Sequence, residues 1–432
     1  MPLPVSQSRT RFVATCLMTA LGVALVFASP DAALAATPAE NTWVLLTPIP
    51  EPLDSPVFAL AVSPGDGQLV LAGTQSGSIY RSVDGGTTWS AVRQGLGRGV
   101  ISIAFNPYRP GLIVAGVRGG GAWRSVDGGL SWTAAGGLGT ASPRAFGFGK
   151  GMLVAGTNHG VFTSRDGVAW SPSGLGSLSV SALAVAAVND PTRLLAGADA
   201  GQGADGLPVF QSQDGGTNWS PLAGPATASN MVAAIAAAPL ADKATVRNLV
   251  MGTNNGLFSS ADNGARWDQL TGGGALPAAD FSAISFSARP DRYYAASDGG
   301  GSDSAAGLWA TADAGAHFAN LKPPAPSVTA LAVSGDDQPI VYVAGFRPSD
   351  HSVSLWSYRD AGGTPIAPLA QPAAAKPTSA AAVTVSTTPA RSGREWLALL
   401  VSGPEGPYLA VGLGAVLVLM LALVAYVRRS HV

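Results

Sequence analysis

One cysteine stands in the whole chain, Cys16, and it lies inside the first apolar run. With that run removed no thiol is left, which excludes a disulfide framework, a cysteine zinc cluster and a cysteine nucleophile. Glutamate is absent from residue 52 to residue 394, so carboxylate chemistry in that stretch rests on aspartate alone. Charged residues make up only 12% of the chain and nearly cancel, at a formal −1. A nucleic-acid partner, which normally selects a basic surface, is therefore not expected. His159, His317 and His351 are scattered and lack acidic neighbours, a poor set for holding a metal. No cofactor and no metal are expected. What the chain does have is glycine (55) and proline (32), a composition that suits many short strands joined by turns.

The central feature is a repeated turn. Ser82, Asp84, Gly86 and Trp89 return as Ser125, Asp127, Gly129 and Trp132. They return again as Ser212, Asp214, Gly216 and Trp219, and as Ser260, Asp262, Gly264 and Trp267. Ser164, Asp166 and Trp170 form a version one residue shorter, and Thr311, Asp313, Gly315 and Phe318 a worn one. The turns start 43, 39, 48, 48 and 51 residues apart. An aspartate can accept hydrogen bonds from nearby backbone N–H groups, and a serine or threonine two residues earlier adds another such bond. Glycine allows positive φ, and the closing aromatic buries a large apolar face between sheets. Such a unit holds a hairpin. It supplies no paired acid, metal cage or nucleophile, so these aspartates read as structural rather than ligand-binding.

Each unit opens with an apolar strand, at residues 57–62, 100–105, 144–148, 180–185, 231–236, 281–286 and 328–333. A second strand follows and usually ends in Ala-Gly, as at Gly73, Gly116, Gly156 and Gly197. After a hairpin turn, a third strand carries one aromatic: Tyr80, Trp123, Phe162, Phe210, Phe258, Trp309 or Trp356. The closing aromatic of the Asp turn then opens a fourth. Four short strands at this period predict a propeller blade, and seven such units predict an all-β, seven-bladed β-propeller over residues 41–364. The last blade has Trp356 but no Asp turn after it, while Trp43 sits in a strand-like segment with no blade of its own. Two readings stand. Either the N-terminal strand with Trp43 completes the last blade and closes the ring, the reading favoured here, or residues 364–369 supply the missing strand and Trp43 packs elsewhere.

Both ends point to a membrane. Arg9 and Arg11 precede the apolar residues 12–28, and Ala33-Leu34-Ala35 follows, so residues 1–35 read as a signal peptide cut after Ala35. The alternative is an uncleaved anchor. Residues 408–427 form an uncharged apolar run, about 30 Å long as a helix, enough to span the hydrocarbon core. Arg428 and Arg429 follow at once and place the tail 428–432 inside. Residues 365–407, rich in Pro, Ala, Ser and Thr in their first part, read as a stalk and juxtamembrane segment. The expected protein is single-pass, with its propeller extracytoplasmic and its C-terminus cytoplasmic.

The repeated Ser/Thr-x-Asp-x-Gly-x-x-Trp pattern resembles the Asp-box, or BNR, repeat over residues 41–364. Families with this repeat include sialidases, some glucan hydrolases, sortilin-type receptors and photosystem II assembly factors. The sialidase resemblance implies an Arg-Ile-Pro motif and a Tyr nucleophile assisted by Glu. No Arg-Ile-Pro occurs, and with no glutamate in 52–394 the Tyr/Glu couple is expected to be absent. The photosystem II factors match in having one signal and one propeller, but not in the C-terminal span. Sortilin-type receptors share propeller, stalk and span, but their cysteine-rich module is missing.

Other motifs are weaker. Gly201, Gly203 and Gly206 match a dinucleotide glycine pattern but run into a strand, not the helix such a site needs. The segment from Asp298 to Asp303 lacks the spacing of a known calcium loop. Asn218-Trp219-Ser220 is a glycosylation sequon whose central residue is the packing tryptophan. Two functions follow. One is a membrane-anchored, non-catalytic module that binds a protein or glycan, or assists assembly, through the loops around 199–207, 297–306 and 346–354. The other is a glycan hydrolase using two of Asp199, Asp205, Asp298, Asp303 and Asp350 across a cleft.

Overall fold

The structure is a computed structural model that describes residues 40–186, 193–199, 208–222, 229, 231–239, 246–298, 306–325 and 327–361. The expected signal peptide, the stalk and the run 408–427 lie outside them. Among the described residues no helix is long and apolar enough to cross a membrane.

The strands form seven four-stranded antiparallel sheets, the blades of a propeller. Their inner strands are Ala59–Ser63, Val100–Phe105, Pro143–Gly149, Ser179–Val185, Val232–Ala237, Ala283–Phe286 and Val328–Val333. Each inner strand touches the next around the circle, and the seventh touches the first. Antiparallel order fixes two faces. Connections from inner to second strand, and the Asp turns from third to outer strand, share one face, called here the turn face. The second-to-third hairpins and the links from one blade to the next share the other, the hairpin face.

Closure uses the N-terminal strand. Trp43–Leu45 pairs antiparallel with Ser352–Arg359, with Trp43 opposite Tyr358 and Leu45 opposite Trp356. The Trp43 and Tyr358 rings lie 5.0 Å apart, and the Trp43 indole N–H donates to the Leu321 carbonyl of blade 6 at 2.8 Å. Both ends of the ring, Asn41 and Ala361, therefore lie on the turn face.

The core is divided among the seven gaps between blades. Seven apolar clusters occur, each combining residues of two neighbouring blades; Leu71 and Ile79 of blade 1, for example, pack with Val100, Ile113 and Trp132 of blade 2. Hydroxyl groups tie the same gaps. Ser102 donates to the Pro143 carbonyl, Ser181 to that of Val232, and Thr329 to that of Val57. The glycine after the second strand's alanine has a packing reason. A Cβ on Gly116 would stand 2.1 Å from the Pro143 carbonyl oxygen, and one on Gly73 2.4 Å from the Val100 side chain. The next blade's inner strand presses against this point.

Strand limits differ from the sequence reading in two ways. Inner strands in blades 2, 3, 4, 5 and 7 carry a register shift near their first residues, as between Val100 and Ser102. Such a bulge breaks the apolar alternation that marks a strand start. The outer strands begin one residue after the closing aromatic, as in Ser90–Arg93, and four of them are only two residues long.

Candidate functional site

The six Asp turns are built alike. In blade 1, Asp84 Oδ1 accepts from the Ser82 hydroxyl at 2.7 Å and the Thr88 N–H at 2.8 Å. Asp84 Oδ2 accepts from the Thr88 hydroxyl at 2.6 Å, while Ser82 Oγ accepts the Gly86 N–H at 2.7 Å. Asp127, Asp214 and Asp313 repeat this with Ser131, Asn218 and His317 as the side-chain donor, and Asp262 pairs with Arg266 at 3.5 Å. His317 is thus the partner of its own turn's aspartate. Each of these five carboxylates uses both oxygens inside its loop. In the shorter fourth-from-last turn Asp166 accepts only from Val168 N–H, since Ala169 stands where the donor should be.

The charge follows from this bonding. Hydrogen bonds from the Ser131 hydroxyl and N–H hold the Asp127 carboxyl down to about 2. For Asp84 burial pulls upward, but the Thr88 and Ser82 bonds outweigh it and the net direction is down. A carboxylate held in this way is an anchor for its loop, not a proton donor near neutrality.

The closing aromatics Trp132, Trp170, Trp267 and Phe318 are buried, whereas Trp89 and Trp219 are half-buried. Trp89 Nε1–H donates to the Thr47 carbonyl and so ties blade 1 to the closing segment.

The loop aspartates do not form a described pair. Asp199 ends the second strand of blade 4, and Asp350 lies in the blade 7 hairpin, three blades away. Asp350 accepts from Ser352 N–H at 3.0 Å and pairs with Arg347 at 3.4 Å. Asp205, Asp303, the Asp298 side chain and the Gly201–Gly206 pattern lie outside the described residues. Among the described residues no group of three histidine, cysteine or acidic side chains is placed to hold a metal.

One Tyr–Glu contact lies just outside the glutamate-free stretch: the Tyr80 hydroxyl donates to Glu51 Oε2 at 2.9 Å, and Ser76 donates to Oε1 at 2.8 Å. Glu51 precedes the glutamate-free stretch, on the link from the closing strand to blade 1, and folds back over the Thr74–Ser78 hairpin. Burial, then the Glu51 contact, raises the Tyr80 phenol, the opposite of an activated nucleophile. Tyr80 also stands on a third strand, away from the axis. The pair clamps a link to a hairpin.

The hairpin face carries what the sequence reading missed. Residues 93–165 hold Arg93, Arg98, Arg109, Arg118, Arg124, Arg144, Lys150 and Arg165 against one acid, Asp127. Arg98, Arg118 and Arg144 are exposed and share the hairpin face of blades 2 and 3. The Arg98 guanidinium lies over Gly119, next to Arg118, and Arg144 donates to Ser179 at 3.2 Å. None of the three is ion-paired among the described residues. The overall balance of charge concealed this segregation; the run of eight bases with a single acid was there to be counted.

Comparison with known proteins bears on the fold. No family model and no curated protein matches the chain. Solved propellers do. A structure described as "YCF48 bound to D1 peptide" superposes with a TM-score of 0.52 at 17% identity, over 76% of this chain and 100% of that one. The WD40 propeller domain of Doa1 gives 0.51 at 13% identity, over 72% and 96%. The likeness is one of fold. A GH74 enzyme from Niastella koreensis gives 0.39 at 17% identity, and the match spans 55% of that enzyme.

Proposed function

We propose that this chain is a membrane-anchored, extracytoplasmic β-propeller of the Asp-box type that acts as a non-catalytic protein-binding or assembly module. Its binding surface is the hairpin face of blades 2 and 3. The observation that carries this is the group of exposed arginines Arg98, Arg118 and Arg144, without an ion-pair partner among the described residues, on a face that bears neither end of the ring. Guanidinium groups so placed recognise carboxylates by bidentate hydrogen bonds, and steer an acidic partner on approach. The partner expected is an acidic segment of another protein. The peptide-bound YCF48 structure supports the general reading, since a propeller of this fold there holds a peptide.

The test is crosslinking and purification of the intact membrane protein beside an Arg98→Glu, Arg118→Glu, Arg144→Glu variant. A partner recovered with the native chain and lost from the variant is the expected result. Repeated recovery of the native protein alone, or a partner indifferent to the three changes, would sink the proposal. Release of sugar from a glycan panel would replace it with the hydrolase reading.

A further inference from the structure

The seven inner strands carry a single charged residue, Arg144, at the hairpin-face end of the axis. The opposite end is different. Arg247, on the inner-to-second connection of blade 5, reaches across the turn-face mouth of the channel. Its Nε–H donates to the Ala238 carbonyl and its Nη1–H to the Val185 carbonyl of blade 4 at 3.1 Å. Its own backbone N–H is held by Asn263 Oδ1 at 2.7 Å. The guanidinium is thus fixed in position by two blades.

Two of its five N–H groups are spent on these carbonyls. No carboxylate pairs with it among the described residues. Burial lowers the guanidinium from its ordinary value, against a smaller opposing pull from Tyr108. A half-buried cation without a carboxylate among the described residues is costly, and an anion at the free side of the fork relieves that cost.

A cavity of about 220 Å³ opens beside it. Its walls include Tyr108, Phe146, Phe148, Leu183 and Ile235, contributed by blades 2 to 5. The volume is below the roughly 300–1,000 Å³ of pockets for drug-sized molecules, so the occupant must be compact. One cation facing an apolar wall suits a monoanion with an apolar body. A phosphate dianion would need further donors, and beside Arg247 the side chains of the wall add only the Tyr108 hydroxyl.

We propose that the turn-face mouth of the channel binds a small organic carboxylate, with the Arg247 fork taking the carboxylate and Phe146, Phe148, Leu183 and Ile235 taking an aryl or alkyl body. The site is on the face opposite the arginine surface proposed for the partner, and does not depend on it.

The experiment uses the full-length protein in lipid nanodiscs, with benzoate and 3-phenylpropionate as probes and their amides as neutral controls, read by calorimetry and saturation-transfer NMR. Saturable binding of the acids is expected, with the amides weaker by roughly tenfold or more, as the loss of a charge-assisted fork requires. Arg247→Gln is expected to weaken the acids to a similar extent, and Arg247→Lys less. Because Arg247 also ties two blades, Tyr108→Glu serves as a second variant. That residue is exposed, and a carboxylate there competes for the guanidinium. Equal binding of acid and amide overturns the proposal, as does no saturation by about 10 mM acid. Unchanged affinity in both the Gln and the Tyr108→Glu variants overturns it too. A peptide with a free, apolar C-terminal residue that binds this mouth where the small acids do not also overturns it.

Discussion

Ala314 occupies a position in its Asp turn that needs left-handed backbone. Its φ is 59°, where three other turns place Gly85, Gly128 and Gly215 at 68°, 71° and 73°. An alanine pays a steric cost there that glycine avoids. Ala314→Gly is therefore expected to stabilise the fold by about 1 kcal/mol, measured as a shift in the denaturant midpoint. The turn aspartates also set an acid limit. Asp84, Asp127, Asp214, Asp262 and Asp313 all titrate below their ordinary value when folded. A depressed folded value contributes stability above the unfolded value, near 3.9, that is lost as pH falls through the folded one. For Asp127 that window runs from about 3.9 down to about 2. Melting temperature should fall across it, and Asp127→Asn, which keeps the shape of the loop, should make the fall shallower. An Asn variant with the native pH profile would show that the carboxylate's charge is irrelevant.

At the level of the element, the second strand ends where the next blade begins. Gly116 meets the Pro143 carbonyl, part of the backbone, so a methyl group at 116 cannot be relieved by a rotamer change. Gly116→Ala is expected to cost roughly 2 kcal/mol by overpacking, with the loss seen in thermal melting. In blades 1, 3 and 5 the same strand continues into a fully buried threonine, Thr74, Thr157 or Thr253. Thr157 and Thr253 donate to the Gly160 and Gly256 carbonyls, each at 2.9 Å, and lock their hairpins. The repeated Gly-Thr was visible in the sequence, and its hydrogen bond explains it. The outer strands were less legible, because a two-residue strand such as Thr133–Ala134 has no periodicity to read.

The whole molecule depends on closure. Trp43 packs on Tyr358 and bonds to blade 6, so one residue near the N-terminus joins the last two blades. Trp43→Ala is expected to cost about 2–3 kcal/mol, less than a fully buried tryptophan because the ring is half-buried. Chemical denaturation would measure it. A chain beginning after Leu45 would leave the Ser352–Arg359 edge unpaired and is expected to self-associate, a result that size-exclusion chromatography reads directly. A monodisperse, equally stable truncated chain would show that another segment covers the edge.

The sequence by itself determined the blade. Turn chemistry and strand alternation act over a few residues, so the Ser-x-Asp-x-Gly loop, its closing aromatic and the count of seven were readable without coordinates. The donor before that aromatic, Thr88, Ser131, Asn218, Arg266 or His317, was equally local, and its meaning appeared once the Asp Oδ2 contacts were seen. Only the tertiary structure decided what meets around the ring. Tyr80 and Glu51 are 29 residues apart, Arg247 and Val185 62. Such contacts depend on where each link between blades folds, which no short-range pattern encodes. The same is true of the division into faces. Arginines are spaced along blades 2 and 3, and the ring alone brings three of them to one surface and leaves Arg247 at the far mouth of the axis.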